Sequence, residues 1–189
     1  MADQAAPDPS RLLSRIGSIL DEAGADWAVI GAMAVAYHGW VRASLDADAL
    51  ISLKKSSLDI DQLGERLRKE GWNVEVRMGE PGDPLGFVVR IRDSHGNQAD
   101  LIGGIRKLDP GFFDRIQREE WDGAALKFAS TEDLLALKFY AGGPKDLEDA
   151  EGILKVRAGS MDHSLVSGLS KPFGRNAAEV CERLLAKFP

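Results

Sequence analysis

Two aspartates stand two positions apart inside an apolar run, Leu45-Asp46-Ala47-Asp48-Ala49-Leu50-Ile51. Side chains alternate along an extended strand, so Asp46 and Asp48 share one face at ~7 Å while Leu45, Ala47, Ala49 and Ile51 take the other. Carboxylates so placed repel, and aspartate is depleted in strands, so the pattern calls for a cation. Mg²⁺ prefers hard oxygen ligands and is commonly held by one or two carboxylates together with substrate phosphates. The same three residues also fit the wet face of a half-exposed strand. A third carboxylate, Asp100, lies in a second short apolar run, Gln98-Ala99-Asp100-Leu101-Ile102, which a neighbouring strand would set beside the first two. Taken alone, it is a strand-edge acid after a hairpin.

Gly31 follows the apolar run Trp27-Ala28-Val29-Ile30 and opens a small-residue helix that Gly39 closes. A strand feeding a helix through glycine presents free backbone N–H groups and a positive dipole end, the arrangement that receives an anion such as a triphosphate. A tight turn needing a residue without Cβ gives the same sequence. The glycine-rich phosphate loop ending in Lys-Ser/Thr and the dinucleotide glycine pattern are both absent, which excludes the corresponding ATPase and dehydrogenase readings. Lys138 follows Leu134 and Leu135 on the apolar side of its helix, where a cation needs a partner. It contacts phosphate in a cleft, snorkels to the surface, or pairs with Asp146 or Asp149. Asp146 itself falls in a first helical turn begun by Pro144, where an acid complements the helix dipole. Arg42, four residues before Asp46, is a phosphate contact or a surface arginine. His38, His95 and His163 read as helix packing, turn and surface, and form no triad with a serine.

The elements that must position these groups follow from periodicity. Leu12, Leu13, Ile16, Ile19 and Leu20 recur at helical spacing, with Ser10 as N-cap and Gly24 as stop. Strands are expected at 27–30, 45–51, 72–76, 87–92 and 98–102, the last two joined as a hairpin through Asp93-Ser94-His95-Gly96-Asn97. A helix is expected over 57–70 and a loop over 79–86. From Thr131 the chain turns helical, over 131–140, 144–157 and 176–188, the last with Ala177, Cys181, Leu184, Leu185 and Phe188 on one stripe. The expected organisation is an α/β (α+β) core over residues 1–130 and a C-terminal helical region over 131–189 packed on it.

Composition limits the partners. The chain has 189 residues, 44% hydrophobic, and carries 24 Lys and Arg against 30 Asp and Glu, a net charge of −6. That balance supports a folded core and argues against a broad nonspecific nucleic-acid surface. One cysteine, Cys181, leaves no internal disulfide and no zinc pattern. With no apolar run near the ~20 residues of a membrane span and no leader-like start, a cytoplasmic location without membrane partners is expected.

The run Val29-Ile30-Gly31-Ala32-Met33-Ala34-Val35-Ala36-Tyr37-His38-Gly39, followed by Val41-Arg42-Ala43-Ser44-Leu45-Asp46-Ala47-Asp48, resembles the signature of the DNA polymerase beta-like nucleotidyltransferase superfamily. There a Gly-Ser or Gly-Gly turn precedes a helix, an Arg-x-Ser/Thr step and a metal-binding D-x-D. Thr131 to Lys138 and Ala141 to Asp149 are similar to the Lys and Lys-Asp-x-x-Asp elements of its bacterial AbiEii-like branch, which contains toxin-type enzymes. The resemblance spans roughly residues 27–155. It implies a mixed sheet flanked by helices with a C-terminal helical cluster. It further implies transfer of a nucleoside monophosphate from an NTP to an acceptor hydroxyl of an RNA end, a protein or a small molecule. Two Mg²⁺ ions would be held by Asp46, Asp48 and Asp100. Gly31 and Ala32 would offer backbone donors to the nucleotide, with Arg42 and Lys138 adding charge, and a cognate antitoxin is an implied partner. Ala32 stands where the family often has Ser or Gly, so the turn lacks a hydroxyl for the terminal phosphate. That departure keeps a rival in view, a non-catalytic member of the fold acting as a binding or regulatory partner.

Overall fold

The computed structural model describes residues 8–42, 44 and 46–188. Leu45, assigned above to the apolar side of its strand, and Ala43 of the signature lie outside the described residues, as do residues 1–7 and 189. The chain folds as α1 (Pro9–Glu22), β1 (Asp26–Ile30), α2 (Gly31–Tyr37), β2 (Asp46–Ser52), α3 (Ile60–Arg68), β3 (Asn73–Met78), β4 (Phe87–Arg92) and β5 (Gln98–Gly103). It continues with β6 (Gln117–Trp121), β7 (Ala124–Phe128), α4 (Thr131–Ala141), α5 (Pro144–Arg157), α6 (His163–Ser170) and α7 (Arg175–Lys187).

The seven strands form one mixed sheet in the order β3-β4-β5-β2-β1-β7-β6. β2 runs parallel to β5 and antiparallel to β1, while β1 runs parallel to β7. The fold class is α/β, as the sequence predicts. Alternation works as expected along β2 and β5: Ala47, Ala49, Ile51, Ala99 and Leu101 are buried, and Val89 and Ile91 of β4 continue that apolar face. The opposite face carries Asp46, Asp48 and Asp100. One hydrophobic core runs from α1 through the sheet to α7, and α4 packs against α5, α6 and α7. No helix among the described residues is long and apolar enough to cross a membrane.

Two local readings change. Asp8, not Ser10, caps α1: its carboxylate accepts from the Arg11 amide, while Ser10 is buried and donates to Asp8 at 2.6 Å. The hairpin β6–β7 is absent from the sequence reading, because Gln-Arg-Glu-Glu-Trp is a charged, exposed edge strand with no apolar alternation. Its signal was the turn: Asp122 and Gly123 both take positive φ, 49° and 71°, the two-residue connection that matches strand twist. The charges of β6 also protect that edge from pairing with another chain.

Candidate active site

The site is built where β1 ends. Ile30 pairs with Asp48 across the antiparallel β1–β2 ladder, which sets the strand-to-helix turn beside the second aspartate of the D-x-D. Gly31 adopts φ +64°, and a Cβ there would lie 2.1 Å from Asp48 Oδ2. The glycine is therefore required twice, for the left-handed backbone and for the close approach of the carboxylate. On the other side of β2 the parallel register puts Asp48 directly opposite Asp100, with Asp46 opposite Gln98. All three aspartates thus share one face of the sheet.

A cleft of about 490 Å³ opens over this face. Its polar end is formed by Gly31, Asp48, Lys138 and Asp146, and its walls by apolar side chains of β1, β5, α4 and the β3–β4 loop. Pro84 and Leu85 of that loop form one lip, held by the Arg106 amide donating to the Pro84 carbonyl at 3.0 Å and the Gly86 amide to Gly103 at 2.9 Å. Gly104 allows the approach: at φ +68° its Cβ would come within 2.9 Å of Gly86 Cα.

Lys138 reaches the cleft from α4 with its side chain only 9% exposed. Its ammonium donates to Asp146 and Asp149, each at 2.9 Å. Arg42 forks onto the buried Asp149 from the mouth of the loop before β2, at 2.7 and 3.1 Å. Two cations and two carboxylates therefore close a network around Asp149. No described residue donates a hydrogen bond to the Asp48 carboxylate. Burial, then the adjacent Asp100 and Asp46 charges, push its pKa up to about 6 against the opposing pull of Lys138 and Arg42.

His38 fastens the two sides together. It is 1% exposed; its Nε2–H donates to the Ala129 carbonyl at 2.8 Å, leaving Nδ1 to accept from Thr131 at 3.1 Å. Burial lowers its pKa, which favours this neutral form. The histidine thus ties the end of α2, the helix begun by Gly31, to the start of α4, the helix carrying Lys138.

Neither a protein-family model nor a curated protein matches this chain by sequence. Solved structures do match in shape. The antibiotic-resistance factor ANT(2'')-Ia in solution superposes with a TM-score of 0.58 at 17% identity, over 87% of this chain and 90% of that one. An antigenic nucleotidyltransferase-like protein from Paracoccidioides brasiliensis gives 0.56 at 16% identity, over 94% and 87%. The lincosamide antibiotic adenylyltransferase LnuA, lincomycin-bound, gives 0.50 at 12%, over 77% and 96%. This is the nucleotidyltransferase fold.

Within that fold the expected site residues separate. Gly31, Asp48 and Lys138 line one cleft. Asp46 and Asp100 share the face of Asp48 without lining the cleft, Ala32 is buried in α2, and Arg42 is engaged with Asp149. Among the described residues no three acidic, histidine or cysteine side chains stand close enough to form a finished metal cage. Asp46 lies exposed at the start of β2, and both oxygens of Asp100 accept from Arg90 at 3.0 and 2.8 Å. The donor set nevertheless fits Mg²⁺, since two hard carboxylates sit two residues apart and a third stands opposite one of them. Arg90 was missed in the sequence, although the hairpin register that pairs Arg92 with Gln98 also pairs Arg90 with Asp100.

Proposed function

We propose that this chain is a Mg²⁺-dependent nucleotidyltransferase that moves a nucleoside monophosphate from an NTP to an acceptor hydroxyl. The observation that carries the reading is Asp48: a carboxylate with no hydrogen-bond donor among the described residues, beside Gly31 and two further aspartates, facing Lys138 across a cleft. Asp46, Asp48 and Asp100 are the residues that would hold Mg²⁺. When bound, the metal supplies neutralisation of the triphosphate and acidifies the acceptor hydroxyl.

The chain's own groups do the rest. The first backbone amides of α2, from Gly31 and Ala32, face the phosphates, and Lys138, held by Asp146 and by Asp149 with Arg42 behind it, presents its ammonium at the same end. The apolar walls take the nucleoside and exclude water. The acceptor oxygen attacks the α-phosphorus, the bond from that phosphorus to the β-bridging oxygen breaks, and pyrophosphate leaves. The hydroxyl proton passes to a carboxylate of the aspartate face.

The acceptor class supported best is a small hydroxylated molecule. One ANT(2'')-Ia structure holds adenylyl-2''-tobramycin, and LnuA is a lincosamide adenylyltransferase. An RNA end or a protein side chain remains the acceptor implied by the AbiEii-like resemblance, with a toxin–antitoxin pair as the cellular setting and an antitoxin as partner. Ala32 favours a second reading, a non-catalytic nucleotide-binding member of the fold. Thermal melting with Mg²⁺ and each of the four NTPs tests the site. At a nucleotide concentration of 100 Kd the wild type should gain about 2.7 kcal/mol, and Asp48→Asn should gain far less. Equal shifts for the two proteins would remove Asp48 from the site. Strong binding without transfer to any acceptor would favour the second reading.

A further inference from the structure

The aspartate face continues beyond the cleft as a transverse row. Asp48 on β2 stands opposite Asp100 on β5, Asp100 opposite Arg90 on β4, and Arg90 opposite Glu75 on β3. Arg90 is the single cation in that row of four, and it forks onto Asp100 with Nε and Nη2 at 3.0 and 2.8 Å. Fork-on-fork geometry is the strongest form of an Arg–carboxylate pair. The pair is sheltered on its acidic side, with Asp100 14% exposed and Arg90 34%. Glu75, on the far side of Arg90, accepts from Arg77 at 2.8 Å.

Resting on the nucleotidyltransferase reading above, we propose that Arg90 is a positioning residue that latches Asp100. It holds the carboxylate opposite Asp48, and its grip must loosen before a divalent cation can draw fully on the same oxygens. A guanidinium forked on both oxygens repels a dication seeking them, so the two compete for one carboxylate. Glu75 gives the loosened guanidinium a second acid one strand spacing away, ~4.8 Å, so release does not strand a charge. Asp46 and Asp48, which carry no such fork among the described residues, would engage a divalent cation first and Asp100 last.

Arg92 supplies the control. It lies one row over on the same face, opposite Gln98, and its Nε donates to that neutral amide at 2.9 Å. It makes no ion pair among the described residues. Removing Arg92 therefore changes the charge of the face without freeing a carboxylate.

The experiment titrates the intact protein with Mn²⁺ alone and follows free Mn²⁺ by electron paramagnetic resonance, alongside melting of the metal-free proteins. Arg90→Gln should bind Mn²⁺ roughly tenfold more tightly than wild type, the scale on which one adjacent charge shifts a carboxylate equilibrium, while its metal-free melting temperature falls. Arg92→Gln should change affinity by less than about twofold. Arg90→Lys, which keeps the charge and loses the fork, should fall between wild type and Arg90→Gln, and it decides the matter if Arg90→Gln does not fold. Unchanged or weaker binding in the Arg90 variants overturns the latch, as does an equal gain in Arg92→Gln. Absence of Mn²⁺ binding in both wild type and Arg90→Gln overturns the metal reading of the aspartates and the latch with it, whereas the other failures leave that reading standing.

Discussion

Asp48 and Asp133 are both shielded aspartates, and their surroundings are opposite. Asp133, in the first turn of α4, is 3% exposed. It accepts from Arg115 Nε and Nη2, each at 2.7 Å, and from the Ser130 hydroxyl at 2.7 Å, while Arg115 also reaches Asp109 at 2.8 Å. Those contacts raise the pKa of Arg115, and the knot is closed. Asp48 has no described donor, two like charges beside it and a facing lysine already committed to Asp146 and Asp149. Where every carboxylate oxygen has a partner, the aspartate is holding structure. Where one is left uncompensated at a cleft, it is the carboxylate to which the proposed function assigns a cation.

Removing the same charge at the two positions should therefore act with opposite sign. The largest effect is expected for Asp133→Ala, which leaves the Arg115 guanidinium short of its main partner and removes a capping contact of α4. Chemical denaturation should show a loss of about 3 kcal/mol, and a loss below about 1 kcal/mol would erase the contrast.

Asp48→Asn comes next and should stabilise the metal-free protein. The native pKa of about 6 lies above the ordinary 3.8, so the folded state holds its proton where the unfolded state has released it. Stability from this group is full below pH ~4 and is lost as pH rises through ~6, a difference of about 2–3 kcal/mol between those limits. The asparagine variant should be about 2 kcal/mol more stable than wild type at pH 7 and should lack this slope in denaturation measured from pH 4 to 7. A variant that is less stable at pH 7, with the slope intact, would place the strain elsewhere.

Gly31→Ala should lower stability by about 1–2 kcal/mol, from its positive φ and from collision with the Asp48 carboxylate. A double-mutant cycle sharpens this, because the penalty should shrink by about half when Asp48 is also alanine. The smallest effect is expected for Asp100→Asn, less than about 1 kcal/mol, because its partner Arg90 is half-exposed and remains solvated.

The contrast was partly legible in the sequence. The D-x-D, its alternation and Gly31 were visible because each is a local pattern, and the apolar register of Lys138 correctly placed a cation in need of partners. The C-terminal segments between 131 and 188 were less evenly readable: α7 carries one apolar stripe, α4 is buried nearly all round with Asp133 and Lys138 among its buried residues, and the eight residues of α6 are too few to show a repeat. The pairing of Lys138 with Asp146 and Asp149 was among the alternatives the sequence offered, but the arginine pairs were invisible, since Arg115 reaches Asp133 across 18 residues and Arg42 reaches Asp149 across 107. Such contacts depend on packing between elements, and only Arg90 with Asp100 could have been read from hairpin register.

The central claim is that the uncompensated Asp48 exists to serve phosphoryl transfer, and the direct measurement is transfer of label from an NTP labelled at its α-phosphate. Wild-type protein with Mg²⁺ should pass the label to a hydroxylated acceptor, tested with aminoglycosides, lincosamides and RNA in parallel. Asp48→Asn, folded and at least as stable, should be slower by a factor of about a thousand, on the scale set by losing a principal electrostatic contributor to the transition state. Transfer by Asp48→Asn at the wild-type rate would contradict the account.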